Sequence, residues 1–261
     1  MEWHLHPDVL AGLVLIAALY LLGLSRARPS PQWLHPVERR QMVLFFLGLA
    51  VVYLAEGTPL HELSEHYLFS AHMVQHLLLT LVAPPLLMLG IPPWLLRPVL
   101  THRLVFPIAR LLTSPIVAIA AFNGVLALWH VPLLYESTLQ QHNIHILNHF
   151  TYVAAAMLMW WPVWSPLPEL PRLNYGGQML YLFIQSLVPA VLASIITFSE
   201  TVIYPTYAAA PRIWDLSPIA DQQMGGLIMK IVGSVILWSL AIGIFFVWFN
   251  HEEREVEKSW D

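Results

Sequence analysis

Residues 67–90 read YLFSAHMVQHLLLTLVAPPLLMLG, twenty-four positions without one Asp, Glu, Lys or Arg. At ~1.5 Å of rise per residue, such a run is long enough to cross the ~30 Å hydrocarbon core of a bilayer as a helix. The only side chains in it that titrate near neutrality are His72 and His76, four residues apart and so on one helix face. Pro84-Pro85 falls inside the run, and a spanning helix tolerates such a break when neighbouring groups take up the carbonyls it frees.

Working outward from this run, six further stretches approach the same length, which predicts spans at 7–25, 41–57, 67–90, 114–131, 142–166, 176–200 and 222–249. Pro-rich phrases, RPSPQW, GIPPWLLRP and SPLPELPR, mark several connections between them. With 57% hydrophobic and 11% charged residues and a mean hydropathy of +0.63, the chain is too apolar for a soluble domain of its length. The expected fold is all-α: a polytopic membrane bundle of about seven transmembrane helices, one domain over residues 1–261. The first run follows MEWHLHPD, which has no basic residue and so lacks the n-region of a cleaved signal peptide; a retained first helix is expected. The net charge of −4 and the lack of a basic patch speak against nucleic acid as a partner.

Lys and Arg accumulate on the cytoplasmic side of short loops. Ten of them, including Arg26, Arg28, Arg39, Arg40, Arg97, Arg103, Arg110, Arg172, Arg254 and Lys258, fall on one side of the predicted spans. Arg212 stands alone on the other side, and Lys230 lies within a span. The amino terminus is therefore expected outside and the carboxyl terminus in the cytoplasm, with Trp160, Trp161 and Trp164 in an aromatic belt at the inner end of span five.

On this map ten of the thirteen histidines fall at or near the outer side, and only His35, His102 and His251 at the inner. His145 and His149 repeat the four-residue spacing of His72 and His76, and His142 shares their face. The helical rise puts His76 roughly 14 Å below Tyr67 and His149 roughly 10 Å below His142, so the two pairs lie at compatible depths. His130, in WHVPLLY, ends span four nearby. Intramembrane ionisable groups are expensive and usually functional, which singles out His72, His76, His145 and His149, with His130 and His142 as companions. Interfacial histidines are common, and His4, His6, His61, His66 and His102 are expected to be solvated or capping.

The chain contains no cysteine, so disulfides, iron–sulfur clusters and thiolate metal sites are excluded, and His, Met and carboxylates are the available ligands. Imidazole suits copper, zinc, iron and nickel, whereas thioether sulfur favours Cu(I). Met73 lies close to the face of the first pair, and Met224 and Asp221 enter from the outer end of span seven as further possible ligands. Asp221 can also serve as a cap, and Met157, Met159 and Met179 are expected to pack. Unpaired in a span, Lys230 would cost roughly 2.5–3.5 kcal/mol, so it is expected to face the interior with a partner such as Glu200. HELSEH at 61–66 is a near miss for the zinc-protease motif, because its histidines are five rather than four residues apart. There is no nucleophile elbow, P-loop or dinucleotide fingerprint.

Three phrases together resemble the CtaG family of cytochrome c oxidase assembly factors, seven-helix membrane proteins. They are HMVQHLLLTLVAPPLLMLGIPPW at 72–94, WHVPLLYESTLQQHNIHILNHFTYVAAAMLMWWPVWSPLP at 129–168 and DQQMGGLIM at 221–229. The resemblance implies a multi-pass protein of the bacterial inner membrane that matures a haem-copper oxidase. It implies copper, as Cu(I), held on His72, His76, His130, His142, His145 and His149 and handed over without a catalysed bond change. The partners implied are oxidase subunits, membrane lipid and a periplasmic copper donor. Lys230 stands where members of that family often carry an aromatic residue.

Two other readings fit the histidines. Two axial His on facing helices could hold haem, though this leaves the pairing on each helix without a cause. A seven-helix zinc hydrolase acting on lipid could use the HxxxH pairs as ligands and Asp221 or Glu200 as base.

Overall fold

The computed structural model describes residues 7–26 and 37–258, and His4, His6, Arg28 and His35 lie outside them. Among the described residues every regular element is helical. The long helices are α1 (Pro7–Arg26) and α2 (Arg39–Glu56), followed by the short α3 (Pro59–His66) and by α4 (Phe69–Gly90). Two short helices, α5 (Pro93–Leu100) and α6 (Phe106–Leu112), lead into α7 (Pro115–Trp129), α8 (Pro132–Gln140) and α9 (His142–Trp164). The chain closes with α10 (Tyr175–Phe198), the single turn α11 (Pro205–Ala209) and α12 (Pro218–Glu255). Eight of these helices carry Pro in their first turn, where its missing N–H costs nothing because that group has no intrahelical acceptor. The Pro-rich connections thus become short helices rather than plain loops.

Among the described residues, four helices, α1, α4, α10 and α12, are long and apolar enough to cross a bilayer. Two bent pairs, α2 with α3 at 44° and α6 with α7 at 69°, qualify only when each is taken as one span. The expected fifth span, α9, has 23 residues, but His142, Asn143, His145, Asn148 and His149 make its first half polar. The bundle is thus a membrane protein with four to six crossings by length and composition.

At the centre of the bundle, α4 packs on α2, α3, α9 and α12. Its second half approaches α2 closely: a Cβ on Gly48 would meet the Leu87 side chain at 2.8 Å, and one on Gly90 would run into the Phe45 backbone. Small residues at such crossings let backbones meet in a membrane bundle. The Tyr20 hydroxyl of α1 donates to the Gly90 carbonyl at 3.0 Å and ties the first helix to the same crossing.

The Pro84-Pro85 break is resolved within this packing. Leu78–Val82 widens into a π turn, and because Pro84 has no N–H, the Thr80 carbonyl four residues earlier lacks its helical donor. The Trp160 indole N–H of α9 donates to it at 2.8 Å. Trp160 is fully buried and Trp161 nearly so, which corrects their expected place in an interfacial belt: both belong to the core at the far end of the bundle.

Asp221 has a structural role. Its carboxylate accepts the N–H groups of Phe69 at 2.7 Å and Ser70 at 3.1 Å and the Ser70 hydroxyl at 2.5 Å, so it caps α4 from the first turn of α12. Gln222 accepts the Ile203 N–H at 2.7 Å and donates to the Thr201 carbonyl at 3.1 Å, pinning the α10–α11 connection. Lys230 sits in a second π turn, Ile228–Val232, where its Nζ donates to Ser194 Oγ at 3.0 Å and lies 5.7 Å from the Phe198 ring. Its partner is thus a hydroxyl one helix away rather than Glu200.

Candidate metal centre

The site forms where the carboxyl ends of α2 and α7 meet the amino halves of α4 and α9, with α3 laid across them. Helical spacing stacks His145 on His149 and His72 on His76, each pair with ring centroids 4.2 Å apart. The four do not converge on one point. His76 and His149 are 6.4 Å apart by centroid and link the pairs into a chain.

At one end of this chain lies a carboxylate–imidazole cluster. Glu56, last in α2, accepts the His149 Nδ1–H at 2.6 Å. Glu65 of α3 lies 2.8 Å from His145 Nε2 and 3.1 Å from His61 Nε2. His61 Nδ1 accepts from the Gln75 amide at 3.0 Å, and that amide is oriented by the Ala55 carbonyl and the Ser64 hydroxyl. Two overlapping ligand sets result, Glu56–His145–His149 and His61–Glu65–His145, whose donor atoms lie within 4.8 Å of one another. Tetrahedral metal sites of N and O donors have bonds of ~2.0–2.2 Å, so a small inward adjustment of either set could hold an ion. The cluster opens into a vestibule of about 670 Å³ that also takes in Asp8, Glu62, His66 and His142.

The other end of the chain is buried. His72 is 3% exposed and packs against Tyr135 at 5.1 Å between centroids, and His130 lies 6.3 Å from His76. Tyr152 packs edge-on against His76 at 4.4 Å, and the Tyr204 hydroxyl donates to the His130 carbonyl at 3.1 Å.

Each residue singled out from the sequence can now be placed. His145 and His149 are in the outer cluster, His72, His76 and His130 in the buried group, and exposed His142 is at the vestibule mouth. Met73 is buried beside His76, whereas Met224 is 43% exposed and Asp221 is occupied as a cap. Glu56, His61, Glu65 and the orienting Gln75 were missed by sequence reasoning. His61 and Glu65, four apart in the rejected HELSEH phrase, carry the one signal that could have found them, since that spacing shares a helix face.

Fold and site together define a helical membrane protein that gathers imidazoles and carboxylates at one end of its bundle. The chain belongs to the cytochrome c oxidase caa3 assembly factor family, Caa3_CtaG, whose family model matches residues 18–251. Two curated relatives, an uncharacterized protein of Mycobacterium bovis and one of Mycobacterium tuberculosis, are each 26% identical over 264 residues. The alignments cover 91% of this chain and 39% of either relative, so the chain spans about two fifths of their length. No solved structure matches the chain.

Proposed function

We propose that the protein assists cytochrome c oxidase assembly by holding copper at the Glu56–His61–Glu65–His145–His149 cluster and releasing it to an oxidase subunit in the membrane. The observation that carries this reading is the pair of overlapping ligand sets at the floor of an open vestibule. His149 is the clearest ligand. Its Nδ1 lies 2.6 Å from Glu56 Oε1, so these two atoms stand where one ion could bind both in place of the proton they share. A set without thiolate binds copper less tightly than a cysteine trap, which suits a carrier that must let go.

The Arg-bearing connections lie at the opposite end of the bundle from the cluster. By the charge rule that end is cytoplasmic, so the vestibule faces outward, where a periplasmic donor could load it. Zinc hydrolysis is the competing reading, because a site of three imidazoles and two carboxylates also accepts Zn(II). Metal analysis of protein purified from copper- and zinc-replete cells separates the two. Copper at one or more ions per chain, reduced by one ion in Glu65→Gln/His145→Asn, supports the carrier; zinc alone, unchanged by copper supply, contradicts it. A Soret band in the same preparation would instead indicate haem.

A further inference from the structure

We infer that a second, softer metal site lies beneath the first, formed by His76 and His130 at a cavity lined by Met73, Met159 and Met229, and that it takes Cu(I). The inference deepens the copper-carrier reading and rests on it.

The imidazole of His130 is the starting point. Its Nδ1–H donates to the Leu126 carbonyl at 2.7 Å, which fixes the tautomer and leaves Nε2 as a bare lone pair. That Nε2 is buried and has no hydrogen-bond partner, although His130 is only 8% exposed. A buried acceptor left unmade costs about 1–3 kcal/mol, so the site calls for a ligand. His149 repeats the arrangement, with Nδ1–H on Glu56 and Nε2 bare. His76 sits between them, 6.3 Å from His130 and 6.4 Å from His149 by ring centroid, with interplanar angles of 72° and 78°. Two imidazoles sharing one ion place their centroids roughly 5–6 Å apart, given metal–nitrogen bonds of ~2.0–2.1 Å, so His76 is within small adjustments of pairing with either neighbour.

His76 and His130 then form one edge of an otherwise apolar cavity of about 50 Å³, room for an ion rather than for an organic ligand. Three methionines line it from three helices: Met73 on α4, Met159 on α9 and Met229 on α12. All three methionines are buried, at 1%, 1% and 7% exposure. Thioether and imidazole without carboxylate form a donor set for Cu(I) and a poor one for Zn(II). The outer cluster, rich in carboxylate, accepts either. His149 belongs to both sites, with its Nδ1 side on Glu56 and its Nε2 side toward the buried group. An ion can therefore pass inward by exchanging one ligand at a time, with no change of oxidation state.

The test uses the full chain in lipid nanodiscs, titrated with Cu(I) under reducing conditions and separately with Zn(II), with copper-edge X-ray absorption of the loaded protein. The native protein should bind two Cu(I) with sulfur among the scatterers, and one Zn(II). Met73→Leu/Met229→Leu, close to volume-conserving, should drop Cu(I) to one, remove the sulfur signal and leave Zn(II) at one. His130→Asn should also lose the second Cu(I). A native protein with a single Cu(I) and only nitrogen and oxygen neighbours, or a Met variant that still binds two, overturns the inner site. Glu65→Gln/His145→Asn separates the two ideas. It should lose Zn(II) and keep one sulfur-bound Cu(I); if it keeps Zn(II), the outer site is wrong while the inner one stands.

Discussion

Glu56 and His149 show most directly how single residues set the chemistry of the site. The carboxylate and the Nδ1 of His149 stand 2.6 Å apart, a pair that an ion could bind in place of the proton they share. Glu56→Gln should keep the fold and weaken copper binding about 10–100-fold, because it takes a carboxylate out of the ligand set, as read by competition with a chelator. Asp221 should behave in the opposite way. Asp221→Asn removes charge-assisted acceptors from the start of α4 and should destabilise the protein by about 1–3 kcal/mol in thermal unfolding, with copper stoichiometry unchanged. Lost copper at full stability would make Asp221 a ligand after all. The histidine pairs were legible in the sequence because both members of a pair lie on one helix and four-residue spacing is a local property. Glu56 was not, because its meeting with His149 joins positions 93 apart and depends on how α2 packs against α9. The same holds for Asp221, whose caps reach back 152 and 151 residues.

Among the elements, α4 carries the bundle and has a weak point at its Pro84-Pro85 break. Trp160→Phe keeps the aromatic volume but leaves the Thr80 carbonyl without a donor, and should cost about 1–3 kcal/mol of stability with metal binding retained. Gly48→Leu should separate α2 from α4, displacing Glu56 from His149, so that copper binding and stability fall together. An unshifted unfolding temperature and intact copper site in this variant would show that the crossing does not position Glu56. Apolar run length gave the long helices to within a few residues, since burial in lipid leaves the backbone no alternative to internal hydrogen bonds. It did not give α3, whose eight residues, five of them polar, show no spanning pattern yet bring His61 and Glu65 to the cluster. Nor did the Trp-rich end of α9 read correctly, because a tryptophan filling a proline break and one at an interface look alike in sequence. The polar first half of α9, which keeps that helix below the apolarity of its neighbours, is the part that carries His145 and His149.

At the scale of the whole molecule, most of the imidazoles lie at one end of the bundle and most of the arginines at the other, with Arg212, His102 and His251 the exceptions among the described residues. This polarity was readable from the order of charges and spans, and the family match agrees with the assembly role that three motifs suggested. The division of the histidines into an open cluster and a buried group was not readable, because it depends on which helices are neighbours. The central claim is that the open cluster supplies copper to an oxidase. It is tested most directly by the copper content of cytochrome c oxidase purified from cells whose only family member is Glu56→Gln/His145→Asn. With the variant present in the membrane at native level, the account expects oxidase depleted of copper and restored by excess copper in the medium. Fully loaded, active oxidase at ordinary copper supply would contradict it.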